Sequence, residues 1–150
     1  MRYLLLLLAS LLSYSSTAFA AADCSTPRQA ADSLFTGLAK DTPTEADFCF
    51  QWSSSESSDS ERLANQLLQV LDARGLFIQL NELPNESQPI TDDEQPIEHV
   101  DLHPELPEIY LIPEAGSWQY SQESMTAISE LYRETFSGIS LWFQNLLPKV

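Results

Sequence analysis

Apolar residues recur at three- and four-residue spacing in three stretches of the chain. In the first, Ala30, Ala31, Leu34, Phe35 and Leu38 draw one stripe, the period of an amphipathic helix. Thr26-Pro27-Arg28-Gln29 precedes it with a hydroxyl for the N-cap, proline at the first helical position and Gln at the third, so a helix is predicted from there to about Ala39. In the second, Leu63, Leu67, Val70 and Leu71 share a face behind a Ser58-x-x-Glu61 capping box, and Arg74-Gly75 closes a predicted helix Glu61–Arg74. In the third, Met125, Ile128, Leu131, Tyr132 and Phe136 follow Ser121 as cap. That spacing predicts a helix over 123–135, ended by Gly138.

Between these stretches the period changes. Thr42-Pro43-Thr44-Glu45 repeats the first start signal, and Phe48, Phe50 and Trp52 form the apolar side of a short second helix or turn, making a helical hairpin with the first. Ser53 to Ser60 is Ser-rich and acidic and reads as a solvated linker. Leu76 to Leu80 has the apolar density of a strand or extended segment. Asn81 to Pro96 is rich in Asn, Asp, Glu and Pro and reads as a long exposed loop. Ile97–Leu102 and Glu108–Ile112 are extended, with Pro104 and Pro107 excluding a regular strand between them. Ala115-Gly116 signals a turn into a third short strand, Trp118–Tyr120. The expected fold class is therefore α+β, three main helices packed on a small antiparallel β unit.

The N-terminus has another purpose. Arg2, the apolar run Leu4 to Leu12 and the small-x-small triplet Ala18-Phe19-Ala20 make a secretory signal, and the run is shorter than the roughly 20 residues that span a bilayer. Cleavage fits after Ala20 and equally after Ala22. Asp23 and Ala21 stand where a lipoprotein signal needs a small residue and Leu. The expected organisation is a signal over residues 1–22 and one extracytoplasmic domain over 23–150, exported to the periplasm and lying at the inner-membrane surface. The last segment, with Ile139, Leu141, Trp142, Phe143, Leu146 and Leu147, is unusually apolar. Trp142, Phe143, Leu146 and Leu147 are the candidate interaction residues, toward the domain's own core, a membrane interface or a partner.

Charge narrows the partners. Seven Lys and Arg stand against 22 Asp and Glu, a formal −15, and loss of Arg2 with the signal makes the mature chain more acidic still. Nucleic acid and anionic lipid are repelled. The two cysteines, Cys24 and Cys49, enter an oxidising compartment, where a lone pair forms a structural disulfide. Cys-x-x-Cys spacing is absent and no His lies close in sequence, which argues against a redox or metal pair.

The order of the pieces also carries a resemblance. Thr26-Pro27-Arg28-Gln29-Ala30 through Leu38 comes first, then Leu63-Ala64-Asn65-Gln66-Leu67-Leu68-Gln69-Val70-Leu71-Asp72-Ala73-Arg74-Gly75. Trp118-Gln119-Tyr120-Ser121 and Ile128-Ser129-Glu130-Leu131-Tyr132 follow. This layout resembles the extracytoplasmic N-terminal region of certain bacterial small-conductance mechanosensitive channels, with Ser129 where that family's pattern has Pro. In such channels the resemblance implies that transmembrane helices, a Gly- and Ala-rich pore helix and a cytoplasmic β domain follow; none lies within residues 1–150. The function it implies is a non-catalytic accessory or sensory domain, contacting a protein partner, a membrane channel or a second copy of itself.

The sequence also offers a metal-binding alternative. His99, Asp101 and His103 alternate, so on a strand they share a face and form a candidate divalent-metal constellation; the alternative function is a free periplasmic protein binding a small ligand or metal there. The bland reading is a solvated strand end beside Pro104. Asp92, Asp93 and Glu94 lack calcium-loop spacing. No Gly-x-Ser-x-Gly elbow and no phosphate-cradling glycine loop occur, so no enzyme activity and no cofactor are expected. Trp52, Trp118 and Trp142 fit core or interface anchors better than a ligand platform.

Overall fold

The structure is a computed structural model that describes residues 20–51 and 59–146, with 139–146 described by their backbone alone. The signal segment up to residue 19, Trp52, the linker over 53–58 and Leu147 lie outside the described residues. Within them the fold is α+β: helices α1 (Pro27–Leu38), α2 (Ser60–Arg74) and α3 (Gln122–Leu146), and strands β1 (Val100–Asp101), β2 (Tyr110–Glu114) and β3 (Ser117–Tyr120). The sheet is antiparallel in the order β1-β2-β3, with Val100 opposite Leu111 and Leu111 opposite Tyr120. One core joins the layers: α1 lies on β2, β3 and α2, while α2 packs along α3.

The helix starts follow their caps. Thr26 Oγ1 accepts from the Gln29 amide at 3.2 Å, with Pro27 at the first position, and Ser121 Oγ accepts from the Ser124 amide at 3.0 Å. α2 opens at Ser60 behind Asp59, so the predicted start lies a residue late and Ser58 falls outside the described residues. Gly75 ends α2 in the left-handed region at φ 67°, as the Arg74-Gly75 step predicted. Between β2 and β3, Ala115 and Gly116 both take positive φ, 48° and 83°, the two-residue hairpin geometry that matches strand twist.

Two expectations need correction. Of the short second helix or turn expected after Thr42, the structure has the turn, the 3-10 segment Glu45–Asp47, where the Asp47 carboxylate accepts from the Thr44 amide at 2.7 Å and from its hydroxyl at 2.9 Å. No helical hairpin forms, because the next residues bond to the sheet: Tyr120 N–H donates to Cys49 O at 2.7 Å and Gln51 N–H to Tyr120 O at 3.0 Å. Phe48, Cys49 and Phe50 are all buried, and Phe50 forms a parallel bridge with Tyr120.

Of the strand or extended segment expected over Leu76–Leu80, the structure has the extended segment, which joins no ladder and passes into a 3-10 turn at Leu80–Glu82. Leu76, Ile78 and Leu80 lean on the core while Phe77 points outward. The second correction is that Gly138 does not end α3, which runs to Leu146. Glycine inside a helix costs about 1 kcal/mol relative to alanine, which is a penalty and not a stop, and no proline follows until Pro148.

The predicted loop 81–96 is largely exposed yet anchored. Arg28 donates to Asn81 O and Leu83 O, and its amide donates to Pro84 O at 3.0 Å. Trp118 Nε1 donates to Ser87 O at 3.0 Å, which satisfies the indole of a core tryptophan 2 % exposed.

Candidate functional site

The disulfide stands at the junction of three segments. Cys24 and Cys49 are bonded, with Cα atoms 5.8 Å apart. Cys24 O accepts from Trp118 N–H and Cys49 O from Tyr120 N–H, each at 2.7 Å, so both half-cystines are also pinned to β3. The pair is therefore a staple, as its spacing suggested, and is compatible with an oxidising, extracytoplasmic location.

Near it sits the most enclosed ionisable group among the described residues. The Tyr120 ring is fully buried and its hydroxyl donates to Ala31 O at 3.2 Å; burial, seconded by the Asp32 charge, pushes the phenol far above its ordinary value. Asp47 is buried as well, and its ion pair with Lys40 and the bonds from Thr44 hold its carboxyl below the usual range despite that burial. Both groups knit the fold together. Ser121 and Ser124 are the buried hydroxyls of the sheet–helix junction: Ser124 Oγ donates toward Tyr110 O and Glu108 O and accepts from Tyr110 N–H at 2.8 Å. Their bonding capacity is taken up by backbone and by each other, the two Oγ atoms lying 2.8 Å apart.

The alternating histidine motif is split. His99 Nε2 meets Asp101 Oδ1 at 2.7 Å and the His99 ring stacks on Tyr110 with centroids 4.1 Å apart. His103 turns elsewhere, its Nδ1 accepting from the Glu105 amide at 3.1 Å. The strand ends at Asp101 and a turn follows, closed by Leu106 N–H on His103 O, so the extended backbone that would place all three on one face does not reach His103. Among the described residues no group of three or more His, Cys, Asp or Glu is arranged to hold a metal ion.

The C-terminal part of α3 has a different geometry. Gln66 and Ser129 meet in mid-helix, and Arg74 at the end of α2 donates to Thr135 Oγ1 at 3.0 Å and pairs with Glu134 at 3.6 Å. The start of α2 meets the start of α3 around Leu63 and Met125, so the two helices run parallel and α2 stops level with Thr135. α3 continues over 136–146, roughly 16 Å at 1.5 Å per residue. Ile139, Trp142, Phe143 and Leu146 occupy positions i, i+3, i+4 and i+7 of this extension, one helical face by spacing. Comparison with protein-family models, curated proteins and solved structures gives no match.

Charge falls away along the same extension. Glu134 is the last acidic residue; from Thr135 to Val150 there is one Lys and no Asp or Glu. Apolar density singled out Trp142, Phe143, Leu146 and Leu147, but the supposed stop at Gly138 hid the fact that the first three continue α3 itself. Among the described residues no helix is long and apolar enough to cross a membrane.

Proposed function

We propose that this chain is a non-catalytic extracytoplasmic accessory or sensory domain, related to mechanosensitive channels and acting through protein contacts near the membrane. The observation that carries this reading is the uninterrupted α3, which extends an acid-free apolar stripe beyond the end of α2. An acidic body of net charge −15 is held off an anionic surface by its own field, whereas an apolar, acid-free helix end is not. Such a domain therefore meets a membrane protein end-on, through α3. The ordered resemblance to the extracytoplasmic region of small-conductance channels and a disulfide suited to the periplasm support the same placement.

The test is sedimentation of the mature protein with inner-membrane vesicles, alongside its sedimentation velocity alone. Expected are vesicle binding or self-association, either of them abolished by Trp142→Ser with Leu146→Ser. A parent protein that stays monomeric and unbound at tens of micromolar would sink the reading.

A further inference from the structure

A second surface is carried by the run that follows α2 and by β1, and its inference is independent of the reading above. Phe77, 79 % exposed, is the most exposed large apolar side chain among the described residues. It sits in the extended run after α2, between Leu76 and Ile78, which lean inward on the core. Among the described residues, the backbone N–H groups of Phe77, Ile78 and Gln79 and the carbonyls of Phe77 and Ile78 have no hydrogen-bond partner. An extended segment whose polar backbone is unpaired, and whose side chains alternate in and out, is half of a β-ladder.

The other half faces the same space. β1 ends the sheet order, so one of its edges is unpaired within the described fold. Leu102 N–H donates to Ile109 O; the alternation of an antiparallel ladder then turns the backbone of Asp101 away from β2, toward that open edge. Phe77 and Gln79 from the extended run, with Asp101, Leu102 and His103 from β1 and its following turn, line one shallow cavity of about 280 Å³. Leu83 and Pro104 add apolar floor, and Glu82 and Asp101 supply carboxylates. Arg28, on α1, is committed to the carbonyls of Asn81 and Leu83.

From this we infer that the surface between Phe77 and β1 receives an extended, cationic peptide segment of a partner protein, which adds its backbone as a strand and seats an apolar side chain against Phe77 and Leu102. Unpaired backbone on both sides selects an extended occupant over a helix. The Glu82 carboxylate, within a chain of net charge −15, selects Lys or Arg beside the apolar residue and disfavours a second copy of this acidic chain; Asp101 is already paired with His99 at 2.7 Å.

The probe is an acetylated, amidated peptide of alternating Lys and Val, titrated into the isotope-labelled mature protein and followed by amide resonances and amide hydrogen exchange. Expected are shifts and slowed exchange at Phe77, Ile78, Gln79 and Asp101, weakened by salt. Phe77→Ser should lower affinity at least about tenfold while leaving the unfolding midpoint unchanged, since the ring is exposed. Replacing the peptide's Lys by Glu should abolish binding. Equal binding of the Glu peptide, unchanged affinity in Phe77→Ser, or no perturbation at Phe77 and Asp101 at saturating peptide each overturns the proposal.

Discussion

The hydroxyl of Tyr120 donates to the backbone carbonyl of Ala31 at 3.2 Å, tying the last residue of β3 to the middle of α1 inside the core. Phe50 packs edge-on against the same ring, with centroids 5.3 Å apart. Loss of the hydroxyl in Tyr120→Phe should cost about 1 kcal/mol. The larger signature is in alkali. Burial raises the folded phenol far above its ordinary 10, so above that pH the unfolded chain releases a proton that the folded chain keeps. Stability is then full below pH 10 and falls as pH rises, by about 1.4 kcal/mol per unit from this group. Urea unfolding between pH 9 and 12 should show that extra slope in the parent and not in Tyr120→Phe; parallel curves would contradict it.

Asp47 has the opposite sign. Its folded carboxyl lies below the usual carboxylate range, through Lys40 and Thr44, so it stabilises above its unfolded value near 3.8 and loses that contribution as pH falls through the folded value. Asp47→Asn should destabilise by about 1–3 kcal/mol at pH 7, since it weakens both the buried bonds to Thr44 and the pair with Lys40. Lys40→Met should cost less than about 1 kcal/mol, its amine being part-exposed. The gap between parent and Asp47→Asn, measured by urea unfolding, should narrow below about pH 4. A gap that stays constant down to pH 2 would show that the carboxylate charge is not its source.

Two helical glycines should respond to the same substitution with opposite signs. A Cβ at Gly37 would lie 2.5 Å from Phe48 Cε1 and 2.8 Å from Asp47 O, so Gly37→Ala forces apart α1 and the turn beneath it. The expected loss is about 1–3 kcal/mol, after the gain in helix propensity is overcome. At Gly138 a Cβ meets nothing within 4 Å, and Gly138→Ala should stabilise α3 by about 0.5–1 kcal/mol. Thermal unfolding and helical circular dichroism of the two variants check both signs. Stabilisation by Gly37→Ala would contradict the close approach of Phe48.

This glycine pair shows where the sequence was legible. Gly37 lies inside a helix that the Thr26 cap and the Leu34–Leu38 stripe identified, whereas Gly138 was read as an end because local propensity alone favours a stop there. The continuation of α3 is encoded in the spacing of Ile139, Trp142, Phe143 and Leu146, which repeats that of Met125, Ile128 and Tyr132 in the same helical phase. The β unit was readable from Pro104, Pro107 and Ala115-Gly116. The place of Phe50 was not, since a two-bond parallel bridge to Tyr120 leaves no periodic trace. Nor was the fate of Leu76–Leu80: apolar density marks an extended run, but whether a neighbour pairs it is decided by residues far along the chain. The histidine motif failed for a related reason, as alternation implies a shared face only while the strand lasts.

The disulfide closes a loop of sequence separation 25, for which the chain-entropy account gives about 3–4 kcal/mol, model-dependent. Here the constrained loop contains α1 and the Thr44–Asp47 turn, and both half-cystines hold β3 through their carbonyls. Cleavage of the bond therefore releases unfolded-chain entropy and also loosens the anchoring of Trp118 and Tyr120, so the measured loss should reach or exceed that figure. For a domain of this size the whole stability is on the order of 5–15 kcal/mol, and the reduced protein should remain foldable but lose a large fraction of its urea midpoint. Paired urea titrations of oxidised protein, reduced protein and the Cys24→Ser, Cys49→Ser double variant should give one high and two coincident low midpoints. If reduction leaves the midpoint in place, α1 and the sheet hold Cys24 and Cys49 together without the bond, and the staple contributes nothing to the folded balance.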